Sequence, residues 1–493
     1  MAAEVPLAQG PSHGRVVKNA SIYFLAQIVS WSMAILGVSV VPRILGEAAI
    51  GRLAIAVSIT GLVTEFVNGG IETYLIQQSG QNRSQTEGLL NPTLGLRIVL
   101  IAPATAAVLV ILAWIHADHA LWTLGIISIV AQYPNFLMTP MRSALAGWEQ
   151  ASRVSMLDFL CACAFVPALP FLAFGPTVLV FSNMLIFTID LLLASTWLRR
   201  TISVRPMFEL ARWKQVALGG RPYLANAVIM QVYTFSTLLI LRVFTHNEAI
   251  VGVWSQAGRL CGTFLFLPTA LGAALLPSMA RLADSDPEEL QQVQARVLCL
   301  LIVLSLPIAM MVFVLAEPLC ALLYGHHRFL ALPAVLHVTA FTIIPLYVVT
   351  TMYQFLVARN KGGAWSFFMI GTVVVNALAS ALLVPITAHG RLHNGAIGAA
   401  LALLLAETTG AGCALWLLKT NPFTRETTGR IGKAIFATAV MGATAWLLRH
   451  YFIVAPAALG TAVFVVLAWK MHILTPDEEA KIVGTVRRKL GRT

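Results

Sequence analysis

The chain has 493 residues, 58% of them apolar and only 11% charged, with a mean hydropathy of +0.80. That composition excludes a water-soluble core under a polar coat and makes lipid the expected solvent. The net charge of +12 would suit nucleic acid if the cations formed one face. They are instead scattered through short loops beside apolar runs, which argues for anionic membrane lipid and against nucleic acid.

A bilayer's hydrocarbon is about 30 Å thick and takes roughly 20 apolar helical residues to cross. Runs of that kind lie at 20–41, 49–70, 97–115, 120–141, 154–174, 176–198 and 222–243, then at 250–277, 296–316, 332–356, 364–384, 395–418, 432–448 and 452–470. The expectation is an all-α integral membrane protein with about 14 transmembrane helices. The runs are continuous rather than alternating, which fits a closed barrel poorly. Residues 1–14 are a polar lead and the first run is long enough to span, so no cleavable signal is expected.

The basic residues fix the expected orientation. With these spans, only Arg43, Arg52, Arg242, Arg328, Arg391 and Arg449 fall in outer segments, and Arg259 falls within a span. Every other Lys and Arg, Arg97 and Arg142 among them, then belongs to an inner segment. Because cytoplasmic loops retain Lys and Arg, both termini are expected in the cytoplasm. Dropping a middle span would invert every later loop and destroy the asymmetry. The six cysteines, Cys161, Cys163, Cys261, Cys299, Cys320 and Cys413, show no metal-ligand spacing and read as packing residues, and no metal site is expected.

The stretch Glu47-Ala-Ala-Ile-Gly-Arg-Leu-Ala-Ile-Ala56 recurs imperfectly as Glu248-Ala-Ile-Val-Gly-Val-Trp-Ser-Gln-Ala257, each copy at the outer start of the second helix of a six-helix set. Six is even, so the two sets run parallel and are expected to form two six-helix bundles around a central cavity, an alternating-access arrangement. The expected domains are an N-terminal bundle over 1–198, a cytoplasmic amphipathic linker over 199–221, a C-terminal bundle over 222–418, two extra transmembrane helices within 419–470, and a basic amphipathic tail over 471–493. Arg199, Arg200, Arg205, Arg212, Lys214 and Arg221 beside Trp213 suit a short helix on the inner membrane surface. In the tail, Ile482, Val486 and Leu490 lie opposite Lys481, Arg488 and Arg492, which suggests docking on the same surface.

Charges inside spans are the candidate functional groups, because an ionised side chain at mid-bilayer costs about 2.5–3.5 kcal/mol on insertion scales and normally faces a cavity or a partner. Arg259, deep in the eighth span, is either a cavity guanidinium able to fork onto a phosphate or a structural partner of Glu65 or another acid. Arg52 and Arg43 either line the outer mouth of the cavity or are exposed loop residues. Glu65 and Glu407 are candidates for ion coupling or for neutralising an arginine. Asp190, nearer Arg199 and Arg200, is the third acid in that class, with a structural role favoured. Gln27, Asn226 and Gln256 can hydrogen-bond a sugar or join helices, as can Asn376. The prolines at 167, 170, 268, 307, 345 and 385 are expected to kink helices.

Three segments carry a resemblance that extends over nearly the whole chain: Val41-Pro-Arg-Ile-Leu-Gly-Glu-Ala-Ala-Ile-Gly51, Leu323-Tyr-Gly-His-His-Arg-Phe329, and Asn376 through Pro385 to Asn394-Gly-Ala-Ile-Gly-Ala-Ala400. In their order and spacing they resemble the multidrug/oligosaccharidyl-lipid/polysaccharide exporter superfamily, in its polysaccharide transport branch of Wzx-type O-antigen and exopolysaccharide flippases. The resemblance implies a bacterial plasma (inner) membrane protein that turns polyprenyl-diphosphate-linked oligosaccharide from the inner to the outer leaflet. It implies no cofactor, leaves coupling to a proton or sodium gradient open, and allows other polysaccharide assembly proteins as partners. Lumen cations hold the diphosphate in related flippases, and Arg259 best matches that role. The first helix has no deep cation like those of peptidoglycan-precursor flippases, which argues against lipid II as substrate. Two alternatives remain: a drug/cation antiporter of the same superfamily, and a membrane polysaccharide polymerase or ligase. Every outer loop is short, which weighs against an enzyme, and no catalytic residue is expected.

Overall fold

The computed structural model describes residues 32–33, 36–148, 150–359, 362–417 and 424–473. Among them the regular structure is all helical, with no strand. In chain order the helices are α1 (Leu36–Leu45), α2 (Glu47–Asn68), α3 (Ile71–Gln81), α4 (Thr86–Trp114), α5 (His119–Gly147), α6 (Ala151–Ala162), α7 (Thr177–Arg199), α8 (Leu210–Thr245) and α9 (Glu248–Thr263). They continue as α10 (Phe266–Ser285), α11 (Pro287–Val314), α12 (Ala316–Tyr324), α13 (Leu332–Ala358), α14 (Gly362–His389), α15 (Gly395–Leu417), α16 (Arg425–Leu447) and α17 (Val454–Lys470). Two 3-10 segments, Arg83–Gln85 and Val166–Phe174, complete the set.

Ten of these helices, taking α6 with its following 3-10 segment as one, are long and apolar enough to cross a membrane, and an eleventh span is counted if α9 and the start of α10 are joined. The sequence points to about 14, and the difference has physical reasons. Most of the first expected span lies outside the described residues; α16 carries too many polar groups to qualify; and α17, at 17 residues, is short for a crossing. The eighth expected span is broken, with Glu248–Thr263 and Phe266–Gly272 meeting at 41° just ahead of Pro268, which cannot donate to the helical ladder.

Side-chain distribution is that of a lipid-solvated fold. On α14 the exposed positions are Phe367, Ile370, Val374, Leu378, Leu382 and Ile386, an apolar stripe at helical spacing. Its buried positions include Thr372, Asn376 and Ser380. The polar groups are inside and the hydrocarbons outside, as a bilayer requires.

The chain divides into two compact units, Met1–Leu45 with Arg52–Phe235, and Gly46–Gly51 with Ser236–Thr493. In the first, Leu75, Leu90, Leu94, Leu145, Trp148, Leu157 and Leu198 build a core from α3 to α7. Trp148 is fixed at both ends: its indole Nε1 donates to Thr86 Oγ1 at 3.0 Å, and its carbonyl accepts from Arg83 at 2.9 Å. In the second, α16 and α17 pack on α11 through Ala434, Ala437, Met441, Phe464, Cys299 and Val303. Arg430 Nε and Lys433 Nζ on α16 hold the chain beyond α17 by donating to the carbonyls of Ile473 and Met471 at 2.7 and 2.9 Å.

The linker departs from the helical expectation. Residues 203–209 form no regular secondary structure, and α8 then continues unbroken for 36 residues. Asn91 on α4 clamps this stretch: its Nδ2 donates to Ser203 O, its Oδ1 accepts from Arg205 N, and its carbonyl accepts from Met207 N. Pro206 adds to this by lacking an N–H and disfavouring helix at Arg205. The tail beyond Ile473 lies outside the described residues.

Within the second unit the two sequence copies meet. A Cβ on Gly51 would lie 1.8 Å from the carbonyl oxygen of Glu248, and one on Gly252 would lie 1.9 Å from that of Glu47. The contact is reciprocal, as equivalent positions of two repeats would give, and it leaves room for no side chain. Gly252→Ala is therefore expected to lower the melting temperature of the detergent-purified protein, with a loss of about 1–3 kcal/mol from overpacking. Gly262→Ala, with open space around it, should stay within about 0.5 kcal/mol of the parent; scanning fluorimetry on the pair reads the difference.

Candidate functional site: charged groups within the spans

Most of the charges inside the helices of the first unit are paired. Arg97, expected in an inner segment, is completely buried in α4. Its guanidinium donates to the carbonyl of Phe136 at 2.8 Å, to the Thr139 hydroxyl, and to Glu72 Oε1 at 3.4 Å. Glu72 stands in the first turn of α3, placed there by the left-handed glycines Gly69 (φ 61) and Gly70 (φ 68) that reverse the chain after α2. Glu65, half-buried one turn before the end of α2, interacts electrostatically with both Glu72 and Arg97. Two carboxyl groups thus share one buried guanidinium. Of the two roles expected for Glu65, ion coupling or neutralising an arginine, the structure places it near an arginine, and that arginine is Arg97.

A second group joins α5, α6 and α7. Arg142 is ion-paired with Asp158, and Asp190, fully buried, accepts a hydrogen bond at Oδ2 from the Cys161 thiol at 3.0 Å. Asp190 Oδ1 is buried and has no hydrogen-bond partner among the described residues.

The other candidates are dispersed. Arg52, in α2, pairs with Asp118 at 3.4 Å, and Asp118 also caps α5 by accepting from Leu121 N. Arg43 is exposed near the end of α1. Gln256 is fully buried in α9, its Oε1 accepting from the Tyr324 hydroxyl at 3.4 Å; burial pushes the Tyr324 phenol well above its ordinary range and keeps it a neutral donor. Asn376 joins helices, its Nδ2 donating to Thr237 Oγ1 at 2.8 Å. Glu407 is buried in α15. Gln27 and the side chain of Asn226 lie outside the described residues.

Arg259 differs from the paired cations. It occupies α9, within the broken span, with an exposed side chain, and among the described residues no ion pair or hydrogen bond engages its guanidinium. No group of His, Cys, Asp and Glu among the described residues is arranged to hold a metal ion.

The fold is shared with solved transporters. A structure titled as the lipid II flippase MurJ in an inward closed conformation superposes with a TM-score of 0.72 over 92% of this chain and 99% of the other, at 12% identity. An inward-facing multidrug resistance MATE family transporter of the MOP superfamily matches at 0.66, covering 80% of this chain and 98% of that one, at 13% identity. At such identities the likeness establishes the fold alone, and the long apolar helices make it that of a multi-pass membrane protein. Residues 40–329 match the family described as polysaccharide biosynthesis protein, and the chain belongs to that family. Residues 263–465 also match the lipid II flippase MurJ family. A curated relative, the probable flippase AglR of Haloferax volcanii, is 26% identical over 229 residues, 44% of this chain, and the chain spans 45% of that relative's length.

Arg97→Ala would strand two carboxyl groups and empty a fully buried site. Removing one partner of a buried pair costs about 3–5 kcal/mol, so the variant is expected to lose most of its monodisperse peak in fluorescence-detected size exclusion. Arg97→Ala/Glu72→Gln should recover part of it.

Proposed function

We propose that the protein is a flippase that carries polyprenyl-diphosphate-linked oligosaccharide repeat units from the cytoplasmic to the outer leaflet by alternating access, for surface polysaccharide or exopolysaccharide synthesis. It sits in this reading in a bacterial inner membrane with both termini cytoplasmic. The observation that carries the reading is Arg259, a guanidinium deep in a span with no counter-charge among the described residues. An ionised group in that position needs an anion or water, and a planar fork of donors matches a diphosphate bidentately. Membership of the polysaccharide biosynthesis family and the match to a flippase relative support the same substrate class. Moving a sugar head and diphosphate through bare hydrocarbon is prohibitive, so a polar path must replace water. Arg43, exposed near the end of α1 and expected on the outer side, serves in this reading as an exit cation; Arg52, held by Asp118, is structural.

Deletion of the gene is expected to abolish surface polysaccharide and to leave lipid-linked repeat units on the cytoplasmic leaflet; the parent chain restores export. Arg259→Ala, inserted at parental levels, should reduce restored polysaccharide at least tenfold, corresponding to the loss of about 1.4 kcal/mol or more of diphosphate binding. Normal polysaccharide with heightened drug sensitivity would instead mark an antiporter, and full restoration by Arg259→Ala would remove that residue from the mechanism.

A further inference from the structure

Among the described residues, the buried acid on α7 has no ion pair with a cation. Asp190 is 0% exposed. Its Oδ2 has only the Cys161 thiol, a weak donor, and its Oδ1 has no partner among the described residues. An ionised carboxylate so placed leaves a buried charge uncompensated, which is strongly unfavourable. The groups that face it from the packed helices are Cys161 and Asp158 on α6 and Arg142 on α5. Asp158 and Arg142 are partly exposed, at 28% and 39%, and hold each other. Two acids therefore compete for one arginine, and in this structure Asp158 has it.

The helix that carries Asp158 and Cys161 also breaks. α6 ends at Ala162, and the span continues as nine residues of 3-10 helix, Val166–Phe174. Runs longer than three or four residues of 3-10 helix are uncommon and mark hinges or strain. Pro167 and Pro170, lacking N–H groups, prevent the α pattern from resuming. The thiol contact to Asp190 thus lies within one turn of a backbone junction.

We propose that Asp190 is a proton-binding site whose release of the proton transfers Arg142 from Asp158 to Asp190 and shifts α6 at its junction with the 3-10 segment. In the step, the Asp190 carboxyl gives one proton to water reached through the exposed Asp158 and Arg142. Cys161 stays a thiol, no other bond changes, and the group passes from net neutral to a net charge of −1 spread over two carboxylates and one guanidinium. The proposal deepens the transporter reading by naming the ion and the acid through which a gradient would act, and its role in coupling rests on that reading.

Infrared difference spectroscopy on the purified full-length protein tests the site without reference to any substrate. The parent is expected to show the carbonyl stretch of a protonated carboxyl, absent in Asp190→Asn and retained in Asp158→Asn, together with an S–H stretch that changes as the carboxyl band titrates away on raising pH. Cys161→Ala, which keeps the acid, should move the carboxyl band without removing it, and so guards against a misfolded Asp190→Asn. A spectrum with no protonated carboxyl band, or with one that survives Asp190→Asn, overturns the site. In proteoliposomes, Asp190→Asn should lose at least tenfold of any acceleration by an imposed proton gradient. Gradient-driven transport unchanged in Asp190→Asn would overturn the coupling, and this is a different failure from one in which the parent carries no lipid-linked sugar at all.

Discussion

An ionised group taken out of water must find a counter-charge, a set of donors or a ligand, and this constraint organises the inside of the protein. Burial in low-dielectric surroundings without compensation costs several kcal/mol per ion, and the structure meets the requirement case by case. Arg97 has Glu72, Thr139 and a carbonyl; Arg142 has Asp158; Arg52 has Asp118; Arg430 reaches the carbonyl of Ile473. Among the described residues, Arg259 and Asp190 stand apart, the first as an exposed cation in a span and the second as a sealed acid bonded to a thiol.

The same constraint explains the fold around these groups. α2 and α3 are separate helices because consecutive left-handed glycines turn the chain between them, and that turn carries Glu72 onto Arg97. The close backbone approach at Gly51 and Gly252 brings the two sequence copies together without any side chain between them. Asn91 holds the non-helical stretch 203–209 against α4, while Arg212, Lys214 and Arg221 of the basic linker lie in α8.

Much of this was legible in the sequence. Apolar run length identifies most of the spans, whereas the reciprocal glycine contact between Glu47–Ala56 and Glu248–Ala257 is visible only in the structure. Pro167, Pro170 and Pro268 mark two places, among the described residues, where a span departs from a regular helix. Other features were illegible for physical reasons. Arg97 opens an apolar run, and position alone does not distinguish a loop cation from one whose partner arrives on a short, mildly polar helix; Glu72, a lone acid just after Gly69-Gly70, was the available signal. The Cys161 contact to Asp190 joins helices that sequence periodicity treats separately. The clamp on residues 203–209 depends on a single distant asparagine, whereas local composition favoured a surface helix.

Arg259, which no ion pair engages among the described residues, is proposed to take the diphosphate of a lipid as its partner. Native mass spectrometry of the detergent-solubilised protein with a polyprenyl diphosphate tests it most directly. A bound lipid that is retained by the parent and by Arg52→Gln but lost at least tenfold by Arg259→Gln is the predicted result. Equal retention by parent and Arg259→Gln would contradict the claim.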